Sequence, residues 1–218
     1  MIRPALEKGL AEIGMTLSEE EILTFELFSA ELKKWNRKVN LTSICKDVDI
    51  AVKHIIDSLV FAERVNYTDN VLDIGSGAGF PAIPLSIVKP EVCVLSADAV
   101  GKKILFQRHV SRLLGLKNIE ALHTRVEDLV LSHAGKFDVI ASRAFSSLEV
   151  FVSLAAPLLK NGGRIIAMKG PLINNEFDRV SEELQTTGFE ISSVDAYSLP
   201  LNKGERSLVT ITAVNARN

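Results

Sequence analysis

Apolar positions in the first third of the chain recur at helical spacing. Ile22, Phe25, Phe28, Leu32 and Trp35 lie three or four residues apart, which gathers them on one stripe of a helix. Ser18 and Glu21 ahead of that stripe fit a capping box, in which each side chain serves the other's backbone amide. Lys33, Lys34, Arg37 and Lys38 close the helix. They read either as charge suited to the carboxyl end of the dipole or as a patch facing RNA, and a solvated charge run is the commoner case. A second helix is predicted over residues 49–64, with Val52, Ile55, Ile56, Leu59 and Val60 toward the core. Lys53 and Asp57, and likewise His54 and Ser58, are four apart and can meet on its other side. On this spacing His54 is a surface histidine bonded within its own helix.

From Asn70 the period shortens. Short apolar strands are predicted at 71–74, 91–97, 119–123, 137–141 and 164–168, separated by helices. One helix, 101–114, carries Lys102, Lys103, Arg108 and Arg112 on a basic face; another is capped by Ser147; a last one covers 174–187. Strands alternating with helices imply a doubly wound, mostly parallel sheet. Two final strands, 190–198 and 207–214, are joined by a short turn with Pro200 and Gly204 and are expected to be antiparallel neighbours. The expected organisation is an N-terminal helical extension, residues 1–66, packed on a Rossmann-like α/β domain, residues 67–218.

The first strand runs into Gly75-Ser76-Gly77-Ala78-Gly79-Phe80-Pro81. Glycines after a strand allow a sharp turn and a close ligand approach, at the strand ends where ligands bind in such sheets. Gly77 to Ala82 also satisfies the dinucleotide pattern, and Asp98 stands about 20 residues on, where a ribose-binding acid belongs in either reading. Charge separates the two. Asp73 precedes the first glycine by two residues, and a carboxylate there repels a pyrophosphate. It suits S-adenosylmethionine, which bears an ammonium, a sulfonium and a carboxylate but no phosphate. Asp73 also reads as a strand-end acid that caps the loop. Asp98 reads as a ribose acceptor, as a helix cap, or as both. Val126 and Glu127 fit an adenine-reading pair or a dipole-favoured helix start equally well.

Composition changes little. The 218 residues are 47% hydrophobic and 24% charged, as in an ordinary globular chain. Net charge is −2, so nucleic-acid binding would need a local basic patch. Cys93 lies in an apolar run and is expected to be buried, and Cys45 lacks a nucleophile motif. No cysteine framework, histidine–carboxylate cluster or membrane-length apolar run appears. A cytosolic protein with no metal and no membrane contact is expected.

The stretch Val71 to Pro84 strongly resembles the bacterial small-subunit rRNA methyltransferase G family, also called glucose-inhibited division protein B. So do Trp35-Asn36 with Asn40-Leu41-Thr42, His54 to Leu59, Arg125-Val126-Glu127, Ser142-Arg143-Ala144-Phe145, Lys169-Gly170 and Lys203 to Arg206. The resemblance implies methylation of N7 of one guanosine of 16S rRNA; the sequence leaves naked RNA, the small subunit and an assembly intermediate open as substrate, and a monomer is expected. It implies S-adenosylmethionine contacts at Gly75, Phe80, Val126, Glu127 and Arg143, and matches Asp98 to the ribose acid. Asp73, Gly77 and Gly79 complete the cofactor candidates. Ala82 departs from a common glycine, and Ser207 from a histidine that often follows the Glu-Arg pair.

Guanine N7 has a free lone pair, so in-line methyl transfer needs positioning rather than a general base. Arg143 is a candidate to pair with the donor's carboxylate or an RNA phosphate, its rival role being a structural salt bridge. Phe145 either stacks on the guanine or packs in the core. Lys169, Arg206 and His54 are further RNA-binding candidates. The competing functions are a same-fold methyltransferase for a small molecule or protein, a nucleotide-dependent oxidoreductase, and a binding module without chemistry. Without the resemblance, the RNA and small-molecule readings stand level.

Overall fold

The computed structural model describes residues 1–143, 145, 147–171 and 174–214, with backbone only for 174–179. Strands β1 (Asn70–Ile74), β2 (Cys93–Asp98), β3 (Ile119–His123), β4 (Phe137–Ser142), β5 (Leu159–Lys169), β6 (Phe189–Leu199) and β7 (Gly204–Ala213) form one sheet. Its order is β3-β2-β1-β4-β5-β7-β6. β1 pairs in parallel with β2 and β4, β2 with β3, and β4 with β5. β7 runs antiparallel to both β5 and β6. This is the Rossmann-like α/β arrangement expected from the alternation. Strand order reverses at β1, which opens a crevice beyond the carboxyl ends of β1 and β4.

Ahead of the sheet lie α1 (Arg3–Glu12) and α2 (Glu19–Val39). The capping box forms as expected: Ser18 Oγ accepts from the Glu21 amide, and the Glu21 carboxylate accepts from the Ser18 amide at 2.7 Å. The basic exit of α2 is partly neutralised, since Lys33 Nζ reaches Asp47 at 2.6 Å and Lys34 Nζ reaches Glu31 at 2.9 Å. The predicted helix 49–64 is not a uniform α-helix. It comprises α3 (Asp47–Ile50), a π-helical turn (Ala51–Ile56) and α4 (Asp57–Ala62). The wider turn shifts the residues past it around the helix axis, which is why π-turns tend to mark functional positions. It also upsets the simple spacing argument: Lys53 pairs with Asp49 at 3.4 Å, not with Asp57.

Helices α5 (Ala82–Val88), α6 (Gly101–Leu113), α7 (Val126–His133), α8 (Leu148–Ala155) and α9 (Asn174–Thr186) cover the sheet. Leu6, Phe25, Phe28, Leu32 and Ile56 share one hydrophobic cluster with Phe80 and Ile83 of the glycine turn and α5, and with Phe106 and Val110 of α6. The N-terminal helices therefore pack directly on the glycine turn. Phe28 sits at the centre of this contact, with ring centroids 5.1 Å from Phe80 and 6.3 Å from Phe106. Cys93 contradicts expectation. It is exposed, because it begins β2 at the end of the sheet away from the crevice. Among the described residues, no helix is long and apolar enough to cross a membrane.

Phe28 is fully buried, so Phe28→Ala should cost about 3–5 kcal/mol in urea unfolding. Leu27→Ala, at a neighbouring position 42% exposed, should change stability by only about 0.5 kcal/mol.

Candidate functional site

The glycine turn is tied down from two neighbouring elements. The amides of Gly75 and Ser76 both donate to the Ala97 carbonyl at the end of β2, at 2.8 and 3.2 Å. The Gly77 amide donates to Asp98 Oδ2 at 2.9 Å. Gln107 of α6, fully buried, donates to Ser76 Oγ at 2.8 Å and to the Gly77 carbonyl at 2.9 Å, while accepting from Ser96 Oγ. Sequence patterning gave no sign of Gln107, because its partners lie on two other elements. Gly77 takes φ +61, and open space surrounds the place where a Cβ would stand. Gly79 differs: at φ +87, a Cβ would come within 2.3 Å of Ile83 Cδ1. Gly77 thus presents bare backbone to the crevice, whereas Gly79 permits the packing behind it.

Asp98 does cap locally, since its Oδ1 accepts from the Val100 amide at 2.8 Å, and Lys103 Nζ stands 3.4 Å from Oδ2. These contacts leave one lone pair of the carboxylate for a further donor, a capacity that suits a hydroxyl. Asp73 is completely buried. Its Oδ2 accepts from the Ala82 amide at 3.2 Å, and its Oδ1 has no hydrogen-bond partner. Burial pushes its carboxyl up to about 8, against the opposing pull of the Ala82 amide and of Arg143.

Beyond the turn opens a cavity of about 540 Å³, lined by Gly75, Gly77 and Phe80 of the turn together with Lys53, His54, Arg143, Lys169 and Arg206. Loop residues Leu41, Thr42 and Ile44 form its wall. Asn36 clamps that loop, donating to the Thr42 carbonyl at 2.8 Å and accepting from the Thr42 amide at 2.9 Å. Asp98, Val126 and Glu127 do not line the cavity but lie further along the same edge of the sheet, at the end of β2 and just past β3. Val126 is buried and Glu127 exposed.

His54 is not the surface histidine expected. It is 6% exposed and stacks on Phe80 with ring centroids 4.4 Å apart. Its Nδ1 lies 3.2 Å from an Arg143 amino group, which can only donate, so the proton sits on Nε2 and points at Thr42 Oγ1, 2.9 Å away. Desolvation, helped by the Arg143 charge, lowers its pKa to about 3, so the ring is neutral at physiological pH.

Arg143 makes the internal salt bridge that was its rival role. It reaches Asp57 Oδ2 at 3.4 Å, donates to the Lys53 carbonyl at 3.2 Å and lies 5.3 Å from the centre of the Phe80 ring. It still faces the cavity. Phe145 packs against Phe151 at 5.3 Å, the structural alternative for that ring. Lys169 Nζ donates to the Phe145 carbonyl at 2.6 Å. Ala144 lies outside the described residues. Among the described residues, no group of three potential metal ligands occurs.

The family model for rRNA small subunit methyltransferase G matches residues 21–209. A protein named ribosomal RNA small subunit methyltransferase G from Geobacter sulfurreducens is 47% identical over 206 residues, covering 94% of this chain and 95% of that one. Its namesake from Geotalea uraniireducens is 46% identical, covering 96% and 95%. Among solved structures, a SAM-dependent methyltransferase from Aquifex aeolicus superposes with a TM-score of 0.58 at 19% identity, covering 84% of this chain and 97% of that one. That likeness speaks to the fold alone.

Asp73 offers a sharp check on the site's electrostatics. An unfolded aspartate titrates near 4, roughly its ordinary value. Between about 4 and 8 the folded chain holds the proton that the unfolded chain has lost, so this group's contribution to stability falls as pH rises. Asp73→Asn abolishes that dependence. Its stability relative to the parent should rise from pH 5 to pH 7.5, by up to about 1.4 kcal/mol per unit, in urea titrations at the two pH values; a constant difference would contradict the assignment.

Proposed function

The chain belongs to the rRNA small subunit methyltransferase G family, and on that premise we propose that it transfers the methyl group of S-adenosylmethionine to N7 of one guanosine of 16S rRNA. One observation carries the cofactor reading: bare backbone at Gly77 stands beside a buried Asp98 that retains acceptor capacity, at the mouth of a cavity sized for a small ligand. The residues present fit the donor. Asp98 would hold the ribose, Val126 and Glu127 the adenine edge, and Gly75 and Gly77 the backbone beneath the tail. Asp73, held protonated by burial, keeps an unpartnered oxygen under the turn and so offers a hydrogen-bonding group there rather than a charge. Gly79 and Phe80 support this cradle through their amides, which donate to the Ser76 carbonyl, and through packing on Ile83 and His54. Bound there, S-adenosylmethionine supplies a methyl group activated by the sulfonium.

What this chain adds is placement. Guanine N7 carries no proton to remove, and the residues around the cavity agree with that chemistry. His54 is neutral and both its ring nitrogens are engaged, so it stiffens the wall rather than moving protons. Asp57 is committed to internal partners. Arg143, Arg206 and Lys169 supply positive charge for an RNA phosphate. Cys93 lies at the far end of the sheet, so cytosine-C5 chemistry through it is excluded by distance rather than by burial. The substrate is 16S rRNA within the small subunit or one of its precursors, the enzyme acts as a monomer, and its location is the cytoplasm.

Incubation with labelled methyl donor and small subunits lacking modification should place the label on a single guanosine, cleavable at N7 by reduction and aniline. Label elsewhere, or on protein, would overturn the reading. Asp98→Ala should weaken donor binding by about 1–3 kcal/mol in calorimetry, as loss of a charge-assisted hydrogen bond does.

A further inference from the structure

Thr42 stands in the wall of the cavity, and the residues behind it dictate what its hydroxyl can do. Asn36 holds both the amide and the carbonyl of Thr42, so the residue keeps its place although it sits in a loop. Its Oγ1 accepts from the Ile44 amide at 3.1 Å. It also lies 2.9 Å from His54 Nε2, the nitrogen that carries the ring proton because Nδ1 faces an Arg143 amino group, which can only donate. Thr42 Oγ1 therefore accepts twice. A hydroxyl oxygen has two lone pairs, and both are spent.

What remains is the hydroxyl hydrogen. Among the described residues it has no acceptor, since both of the groups that meet Oγ1 are themselves donors. Hydrogen bonds thus run in one direction, from Arg143 to His54, from His54 to Thr42, and from Thr42 toward the cavity. His54 is buried, neutral and stacked on Phe80, which holds that order in place. An unconstrained threonine hydroxyl reads donors and acceptors alike. This one is restricted to donating. Its place in the fold says to what. Thr42 belongs to the loop between α2 and α3, outside the sheet, whereas the cradle for S-adenosylmethionine is built from the glycine turn and the ends of β2 and β3. The two purines share N7 and differ beside it: guanine carries the O6 acceptor, adenine an N6 amino donor. A hydroxyl that can only donate fits guanine and sets two donors against each other with adenine.

We propose that Thr42 is a specificity-determining residue whose hydroxyl donates to O6 of the target guanine, and that His54 is the positioning residue that restricts it to donating. This rests on the methyl-transfer reading above. The contact engages O6 and leaves the N7 lone pair free for the methyl group. It is set before the RNA arrives, because the Asn36, Ile44 and His54 contacts already order the residue. An adenine in the same place leaves the Thr42 hydrogen without an acceptor, and an unmade bond in a recessed site costs more than a made one gains.

The test uses small subunits reconstituted with 16S rRNA that carries, at the methylated position, either guanosine or 2-aminopurine riboside, which keeps N7 but lacks O6. Subunit Kd is read for wild type, Thr42→Val and Thr42→Ser with S-adenosylhomocysteine bound, so that the different reactivity of the two bases does not enter. Affinity for S-adenosylmethionine is read separately by calorimetry. With guanosine, Thr42→Val should raise subunit Kd about 5-fold or more, while Kd for S-adenosylmethionine stays within about 2-fold. Thr42→Ser, which keeps the hydroxyl, should stay within about 2-fold of wild type for subunits. With 2-aminopurine, wild type and Thr42→Val should differ by less than about 2-fold, since the acceptor that couples to the hydroxyl is gone. An equal Thr42→Val deficit on both bases would overturn the contact, because a merely structural role ignores O6. So would a Thr42→Ser as impaired as Thr42→Val. Thr42→Ala carries the same comparison if the valine variant misfolds. A wild type that leaves guanosine subunits unmethylated would overturn the parent reading, whereas a working wild type with base-independent deficits in its variants would overturn the Thr42 contact alone.

Discussion

The glycine turn is built around one aromatic side chain. Phe80 ends the turn and enters the core, where it meets Phe28 of α2 at 5.1 Å and stacks on His54 at 4.4 Å. That contact joins the helices ahead of the sheet to the loop at its carboxyl edge. Burying a side chain of this size is worth about 1.5–3 kcal/mol, and here it also sets a geometry. With Phe80 seated, His54 is drawn inside, Thr42 is drawn to His54, and Arg143 is laid over the ring. The cavity wall follows from these contacts. The crevice of a doubly wound sheet is generic; its shape in this chain is set by which side chains the N-terminal helices push against it.

Electrostatics then sorts the site into two ends. Around the turn the carboxylates Asp73 and Asp98 are buried, and Asp73 so deeply that its proton is held far above the ordinary range. The cavity beyond the turn is lined by Lys53, Arg143, Lys169 and Arg206. The acceptor of Asp98 at the first end suits the hydroxyls of a nucleoside, and a polyanion suits the cationic lining. A chain with net charge −2 can therefore serve an RNA substrate, because what counts is the local field in a recessed site.

Much of this was legible in the sequence. The strand positions, the reversed last strand and the capping box at Ser18 all came from local patterning, which is set by neighbours along the chain. What patterning missed depends on partners far away. Nothing local announces that the helix around His54 widens into a π-turn, so its faces were misassigned: His54 lies inside, and Lys53 bonds Asp49. Gln107 sits among the ordinary polar residues of a basic helix, yet its amide holds the glycine turn. Asp57 and Tyr197 are 140 positions apart, and their bond exists because β6 ends beside α4. Cys93 misled through its apolar neighbours, since the first position of a strand is often still at the surface. From the sequence, Arg143 is favoured for a ligand role over a structural one, and Phe145 stands even between the two. The structure displays the structural contacts of both, with Arg143 also facing the cavity.

The central claim is that the bare backbone of Gly77 and the acceptor of Asp98 cradle the methyl donor. A crystal structure of the protein with S-adenosylhomocysteine, the donor after loss of its methyl group, tests it most directly. The account predicts a ribose hydroxyl within hydrogen-bond distance of Asp98 and the sulfur facing the cavity that Arg143 and Arg206 line. A ligand seated elsewhere, or with Asp98 bonded only to Gly77 and Val100, would contradict it.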